Sequence, residues 1–331
     1  MVCTRKDQGE LTLSEEARIA RVTVVGCGLI GASWSACFLA NGLEVSATDV
    51  DPEAESRLCE FIDQAWPTLK TLGLASNASP TRLSFHRRIE NAIEGTDFVQ
   101  ENAPERELEK IKVFTELDRL LPPDVVLASS SSGLLMSRLQ IECSHPDRCV
   151  IGHPFNPPHL MPLVEVVGGE QTSRETIARA MRFYTSLGKH PIWIRKEKKG
   201  HVANRLQAAL LRECLSLVEE GVVDVQDADA AVSYGPGLRW ALMGPCLVFH
   251  LAGGKGGIHH YADHLMGPLN DWWSDLGNVP LSPQLQEHWI RGVMAEAGEH
   301  SVEQLERRRD QLLLKLLQIL KTDGQVIPGR K

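Results

Sequence analysis

The 331-residue sequence contains no apolar run approaching the roughly 20 residues that a membrane-spanning helix needs, which excludes a helical membrane protein. It has no block of Lys and Arg interleaved with aromatic residues. Its formal net charge of -8 also opposes non-specific binding to a polyanion, so nucleic acid is not an expected partner. The eight cysteines form no CxxC pair, and the charged N-terminus lacks the apolar core of a secretory signal. Both point to a reducing cytoplasm, with thiols such as Cys27 and Cys37 serving as buried packing residues. Internal repeats and low-complexity tracts are absent as well. What remains, 43% hydrophobic and 24% charged residues, is the composition of a soluble globular chain long enough for two domains.

Residues 1–18 are polar and aperiodic and read as a flexible tail. From Ile19 short apolar runs alternate with helical segments: Val22–Val25, Glu44–Thr48, Phe98–Gln100, Val125–Ala128, Cys149–Gly152 and Ile192–Ile194. That alternation predicts an α/β domain over residues 19–198, a doubly wound parallel sheet covered by helices on both faces. Between two of these runs, Glu53–Leu74 reads as an inserted helical hairpin projecting beside the sheet. The strand signal stops after Lys196-Glu197-Lys198-Lys199-Gly200, and residues 199–331 read as an all-helical domain. Its expected helices are Val202–Glu220 closed by Gly221, Val225–Ser233, about Leu238 to Leu251, Gln284–Glu296 and Val302–Lys321. The last carries Leu305, Leu312, Leu316 and Leu320 on one face, a stripe suited to a core or to a homodimer interface. Residues 324–331 read as a frayed end.

The first strand runs directly into Gly26-Cys27-Gly28-Leu29-Ile30-Gly31 and then into a helical stretch, Ala32–Ala40. This strand, glycine loop and helix context gives GxGxxG its meaning. Gly26 permits the tight turn, Gly28 admits a pyrophosphate close to the backbone, and Gly31 lets helix and strand pack closely. The N–H groups of Leu29, Ile30 and Gly31 then face phosphate. Asp49 ends the second strand, where a carboxylate accepts from ribose hydroxyls and repels a 2′-phosphate, so the expected cofactor is NAD rather than NADP. The plainer readings are a glycine-rich turn and an acidic residue that merely ends a strand.

His153 ends the strand Cys149–Gly152, and ligands of parallel sheets bind at the carboxyl ends of strands. An imidazole poised near neutral pH suits the proton that leaves an alcohol as hydride goes to a nicotinamide. Glu165, flanked by Leu163, Val164, Val166 and Val167, should not be buried unpaired, and His153 is its natural partner. A carboxylate so placed fixes the ring tautomer and favours its charged form. By itself His153 would more often be a satisfied loop histidine.

These residues, together with Glu101-Asn102-Ala103-Pro104-Glu105, His153–Pro158 with Pro162–Val167, Asn204-Arg205-Leu206-Gln207 and Gly237-Leu238-Arg239-Trp240 running on to Gly244-Pro245, carry a resemblance. From about Val22 to Leu320 the chain resembles the L-3-hydroxyacyl-CoA dehydrogenase superfamily, and within it the branch holding lambda-crystallin/L-gulonate 3-dehydrogenase and carnitine 3-dehydrogenase. The resemblance implies a His153–Glu165 catalytic pair, with Ser132 and Asn204 holding the reacting oxygen. It also implies that Glu105 and Lys110 border the nicotinamide end of the cofactor. The chain has Ser129-Ser130-Ser131-Ser132-Gly133 where the family has Asn-Thr-Ser, so the register of the active serine stays open, as does a helix-capping role for Ser132.

Glu53, Glu55, Glu60 and Asp63 in the inserted segment oppose a polyanionic coenzyme A. Arg239, in an apolar stretch, matches a branch position that faces a free carboxylate; the plainer reading is a structural ion pair at a subunit interface. A small free acid such as carnitine or L-gulonate is therefore the expected substrate. The alternatives are an acyl-CoA thioester, a polyketide ketone, or an idle NAD-binding protein. Trp240, Phe249, Tyr261, Trp272 and Trp273 gather in sequence and could form a cage for a quaternary ammonium or a plain core. His260 and His264 have ligand spacing but no acidic third ligand nearby, so no metal is expected.

Overall fold

β1 (Arg21–Val25) is a run rich in β-branched residues, buried from Val22 onward, which is what a central parallel strand requires. The computed structural model describes residues 19–322; the tail expected over residues 1–18 and the frayed end over 324–331 lie outside the described residues. The chain divides into two compact units, one up to Glu197 and one from Lys198.

In the first unit β1 is joined by β2 (Glu44–Thr48), β3 (Leu83–His86), β4 (Phe98–Glu101), β5 (Val126–Ser129), β6 (Cys149–Pro154), β7 (Leu163–Gly168) and β8 (His190–Ile194). Among the described residues they form one sheet of order β3-β2-β1-β4-β5-β6-β7-β8, parallel throughout except between β6 and β7. The order reverses between β1 and β4, and such a switch point opens a crevice at the carboxyl ends of the strands. The expected doubly wound parallel sheet is therefore present. β3, a short and partly exposed edge strand, escaped the sequence reading because four residues give too little period.

The helices of this unit are α1 (Leu29–Ala40), α2 (Ala54–Leu72), α3 (Ile89–Ala92), α4 (Glu107–Leu120), α5 (Met136–Leu139) and α6 (Arg174–Ser186). Every residue of α1 from Gly31 to Ala40 is buried, because the sheet covers one side and α2 the other. That corrects the helical hairpin: within Glu53–Leu74 there is a single helix, α2, whose buried stripe, Ala54, Leu58, Ile62, Ala65 and Leu69, packs into the core holding Trp34 and Phe38. Pro67 lies inside α2 without ending it. Trp34, fully buried and stacked on Phe38 at 5.2 Å, anchors this core; truncating such a residue to alanine costs about 3–5 kcal/mol.

The second unit, helical as expected, contains α7 (Ala203–Glu219), α8 (Val225–Tyr234), α9 (Pro236–Trp240), α10 (Pro245–Ala252), α11 (Gly257–Asp275), α12 (Pro283–Ala297) and α13 (Val302–Thr322). Its buried core centres on Val218, Val225 and Ala228. Gly221 follows α7 at φ 71°, the left-handed cap that the sequence implied. Two expectations change. The single helix from Leu238 to Leu251 is two helices, α9 and α10, because Gly244 caps and Pro245 starts a new one. α11 lies where no helix was expected; the glycines of 253–257 and Pro268 within it mimic breakers.

Candidate functional site

The glycine loop leaves β1 at the switch point. Gly26 has φ 87°, and a Cβ there would meet the backbone of Asn102 at 2.8 Å, so only glycine permits both the turn and the approach of the strand after β4. A Cβ on Gly31 would lie 1.9 Å from the Gly26 carbonyl oxygen. A Cβ on Gly28 would meet nothing within 4 Å. Space is thus reserved at Gly28 alone, beside the start of α1, where no side chain caps the N–H groups of Leu29, Ile30 and Gly31. Asp49, at the end of β2, accepts from Cys27 N at 2.6 Å and from Asp51 N at 2.9 Å. Its carboxylate therefore also ties the loop to β2. Burial, and then the Asp49 charge, push the Cys27 thiol up to about 12, so it stays neutral packing. An uncapped helix start, open space at Gly28 and a carboxylate at the neighbouring strand end fit a dinucleotide.

β6 runs parallel to β5 and so delivers His153 to the same sheet edge as the glycine loop. The antiparallel β7 places Glu165 opposite it. His153 is 5% exposed and Glu165 fully buried, with 2.8 Å between Nδ1 and Oε2. Against a carboxylate Nδ1 is the donor, so Nε2 is the atom left to take or give a proton. Phe155 meets the ring edge-on at 5.8 Å.

Behind His153 lies a network the sequence reading missed. Gln100 Nε2 donates to Ser130 Oγ at 2.8 Å and to the Gly152 carbonyl at 3.3 Å, and its Oε1 accepts from the Tyr184 hydroxyl at 2.6 Å. That hydroxyl sits 1.9 Å from where a Gly152 Cβ would stand, so glycine is required just before the histidine. Lone polar residues in apolar strands were the only available signal.

Glu101 was also missed. It is fully buried and accepts from Ala103 N at 2.6 Å, from Lys110 Nζ at 2.7 and 2.9 Å and from Ser129 Oγ at 2.5 Å. Lys110 is 1% exposed and committed to this carboxylate. Glu105 is exposed, at 41% of its side chain, and gathers the loop that bears Ser132, which is exposed too.

In the second unit Asn204 lies in the first turn of α7 and is partly buried. Arg239, in α9, is exposed, and its guanidinium makes no ion pair among the described residues. The aromatic residues do not gather as expected. Phe249 and Tyr261 pair at 5.0 Å, but Trp272 and Trp273 follow Tyr261 by 11 and 12 residues on α11, about 16 Å along its axis, and are 66% and 55% exposed. Nδ1 of His264 lies 3.0 Å from the His260 carbonyl and is used there, and no metal-binding group of three His, Cys, Asp or Glu occurs among the described residues.

A glycine loop at the switch point, an acid ending β2 and a buried His–Glu pair on the same edge define a nicotinamide-dependent dehydrogenase. Residues 21–198 match the 3-hydroxyacyl-CoA dehydrogenase NAD binding domain, and residues 200–279 match the C-terminal domain of the same family. The chain is 44% identical over 302 residues to an L-carnitine dehydrogenase of Bacillus cereus, covering 91% of this chain and 93% of that one. It is also 44% identical to an L-carnitine dehydrogenase of Streptomyces coelicolor, covering 96% and 98%. Among solved structures, 5-formyl-3-hydroxy-2-methylpyridine 4-carboxylic acid 5-dehydrogenase, an NAD+ dependent dismutase, superimposes with a TM-score of 0.80 at 33% identity, covering 92% of this chain and 99% of that chain. The chain belongs to the 3-hydroxyacyl-CoA dehydrogenase family, and it is an NAD-dependent oxidoreductase acting on CH–OH groups. No helix among the described residues is long and apolar enough to cross a membrane.

Proposed function

We propose that the chain oxidises the 3-hydroxyl of a small free carboxylic acid, carnitine before L-gulonate, or reduces the matching ketone. The observation that carries this reading is the likeness to L-carnitine dehydrogenases along nearly the whole of both chains. Two features support a free acid. Arg239 presents an exposed, unpaired guanidinium to a carboxylate, and Glu53, Glu55, Glu60 and Asp63 on and beside α2 are all exposed, which disfavours coenzyme A.

In this reading Gly26, Gly28, Leu29, Ile30 and Gly31 hold the pyrophosphate of NAD and Asp49 its adenosine ribose; Glu105 borders the nicotinamide end without holding the cofactor, and Lys110, buried against Glu101, lies behind it. NAD supplies the hydride acceptor. His153 Nε2 takes the hydroxyl proton as the C–H bond breaks and returns it in the reverse direction, while Glu165 stabilises the imidazolium. Ser132 and Asn204 orient the reacting oxygen, and Arg239 holds the carboxylate. We place the enzyme in the cytoplasm, where the seven described free thiols would stay reduced, and as a homodimer built on α13. Of the stripe, Leu305 and Leu312 are 43% and 49% exposed while Leu316 and Leu320 are partly buried, and Ile319 continues the exposed row at 56%.

Mixing the protein and NAD with L-carnitine, L-gulonate, 3-hydroxybutyrate or 3-hydroxybutyryl-CoA while following NADH absorbance tests the substrate. Turnover of L-carnitine is expected; turnover confined to the thioester would overturn the free-acid reading.

A further inference from the structure

The four consecutive serines after β5 differ in what holds them. Ser129 donates to Glu101 Oε2 at 2.5 Å, Ser130 to Asn102 Oδ1 at 2.7 Å and Ser131 to Glu105 Oε1 at 2.7 Å. Ser132 alone of the four is exposed, and its hydroxyl stands 3.3 Å from Glu105 Oε1, a longer contact than the other three make. The same Glu105 oxygen accepts from Ser132 N at 2.9 Å and from Gly133 N at 3.0 Å. Four donors of one three-residue turn thus converge on one atom. Its other oxygen lies 3.9 Å from Lys110 Nζ, whose own position is set by the buried Glu101.

We propose that Glu105 is a positioning residue: its carboxylate fixes the 131–133 turn and thereby aims the Ser132 hydroxyl at the reacting oxygen. This rests on the reading of Ser132 as a substrate-side residue. A turn of serines and glycine has little conformational preference of its own, so its geometry must be imposed from outside. An anionic oxygen accepts several N–H and O–H donors more strongly than a neutral amide does. Burial would raise the Glu105 pKa, but the Ser131 hydroxyl, the Lys110 charge and the two backbone N–H groups together hold it below the ordinary carboxylate range, so the acceptor stays ionised at neutral pH. A glutamine would keep one acceptor oxygen but turn its NH2 toward the Lys110 ammonium, where two donors oppose each other.

Glu105→Gln, Glu105→Ala, Ser132→Ala and the double variant Glu105→Ala/Ser132→Ala test this on the fastest-turned-over substrate of the panel above. Glu105→Gln should lower kcat about tenfold and Glu105→Ala about a hundredfold, with KM for NAD changed less than about threefold. The double variant should be no slower than the worse single one, because Glu105 acts through Ser132. Hydrogen exchange at the Ser132 and Gly133 amides should quicken in Glu105→Gln while the melting temperature holds; this readout needs no turnover. Multiplicative losses in the double variant, or a weakened NADH affinity with kcat intact, would show that the carboxylate serves the cofactor instead. Normal exchange and kcat in Glu105→Gln beside an impaired Ser132→Ala would overturn the positioning role alone. A silent Ser132→Ala would overturn it together with the role given to Ser132.

Discussion

His153 and Glu165 are direct Cα partners across the antiparallel β6–β7 pair, and their side chains close the 2.8 Å gap between Nδ1 and Oε2. A cross-strand pair on one face of a sheet has little freedom to drift, so the imidazole is oriented before any substrate arrives. His153→Ala should lower kcat by about a hundred- to ten-thousandfold while NADH still binds, as followed by NADH fluorescence. Glu165→Gln should cost less, since an amide oxygen can still accept from Nδ1–H and hold the ring's orientation. Near-normal kcat in a folded His153→Ala would place the proton elsewhere.

The glycine loop allows a sharper separation. Gly31→Ala drives a methyl group to 1.9 Å from the Gly26 carbonyl oxygen and should destabilise the protein measurably in thermal melts. Gly28→Ala meets nothing within 4 Å, so the melting temperature should hold while NADH affinity falls at least about tenfold. If NADH binds Gly28→Ala normally, the pyrophosphate lies elsewhere. In the parent protein the Asp49 carboxylate should favour NAD over NADP by at least about tenfold in kcat/KM.

Acid stability should follow Asp118. Burial opposes its ionisation, but Arg148 at 2.8 Å and the backbone N–H groups of Ser144 and His145 more than offset this, and its pKa lies below the ordinary value. A carboxylate depressed in the folded state contributes stability above its unfolded pKa, about 3.9, and loses that contribution as pH falls through the lower folded value. The melting temperature should therefore fall as pH drops below about 4. Asp118→Asn leaves the buried Arg148 unpaired and should cost about 3–5 kcal/mol at neutral pH, with a flatter acid limb in the same melts.

Arg239 distinguishes an acid from an ester. Arg239→Met should lose roughly thirty- to several-thousandfold in kcat/KM on a small hydroxy acid, from about 2–5 kcal/mol for an unpaired desolvated carboxylate, and Arg239→Lys should recover only part. An uncharged ester of the same acid should be hardly affected. Equal losses on acid and ester would assign Arg239 to the fold or to an interface.

For the stripe on α13, light scattering at micromolar concentration should report twice the 36.6 kDa chain mass. Leu312→Glu should shift that equilibrium toward monomer, and a monomeric parent protein would return the stripe to other uses.

The sequence by itself determined the cofactor loop, the acidic end of β2, the alternation that builds a parallel sheet and the His153–Glu165 pair. Each is a local signal: a glycine spacing after an apolar strand, or a charge stranded among valines. The tertiary structure decided what depends on residues far apart in the chain. Tyr184 reaches across 84 positions to Gln100 and occupies the space that Gly152 leaves. α2 lies flat on α1 rather than projecting, because α1 has apolar residues on every side and must be covered twice. Lys110, which local spacing alone would leave at the surface, is buried by the carboxylate of Glu101. Of four adjacent serines with the same chemistry, only the positions of Glu101, Asn102 and Glu105 determine which hydroxyls are held tightly and which one is exposed, and no pattern within the run could show that.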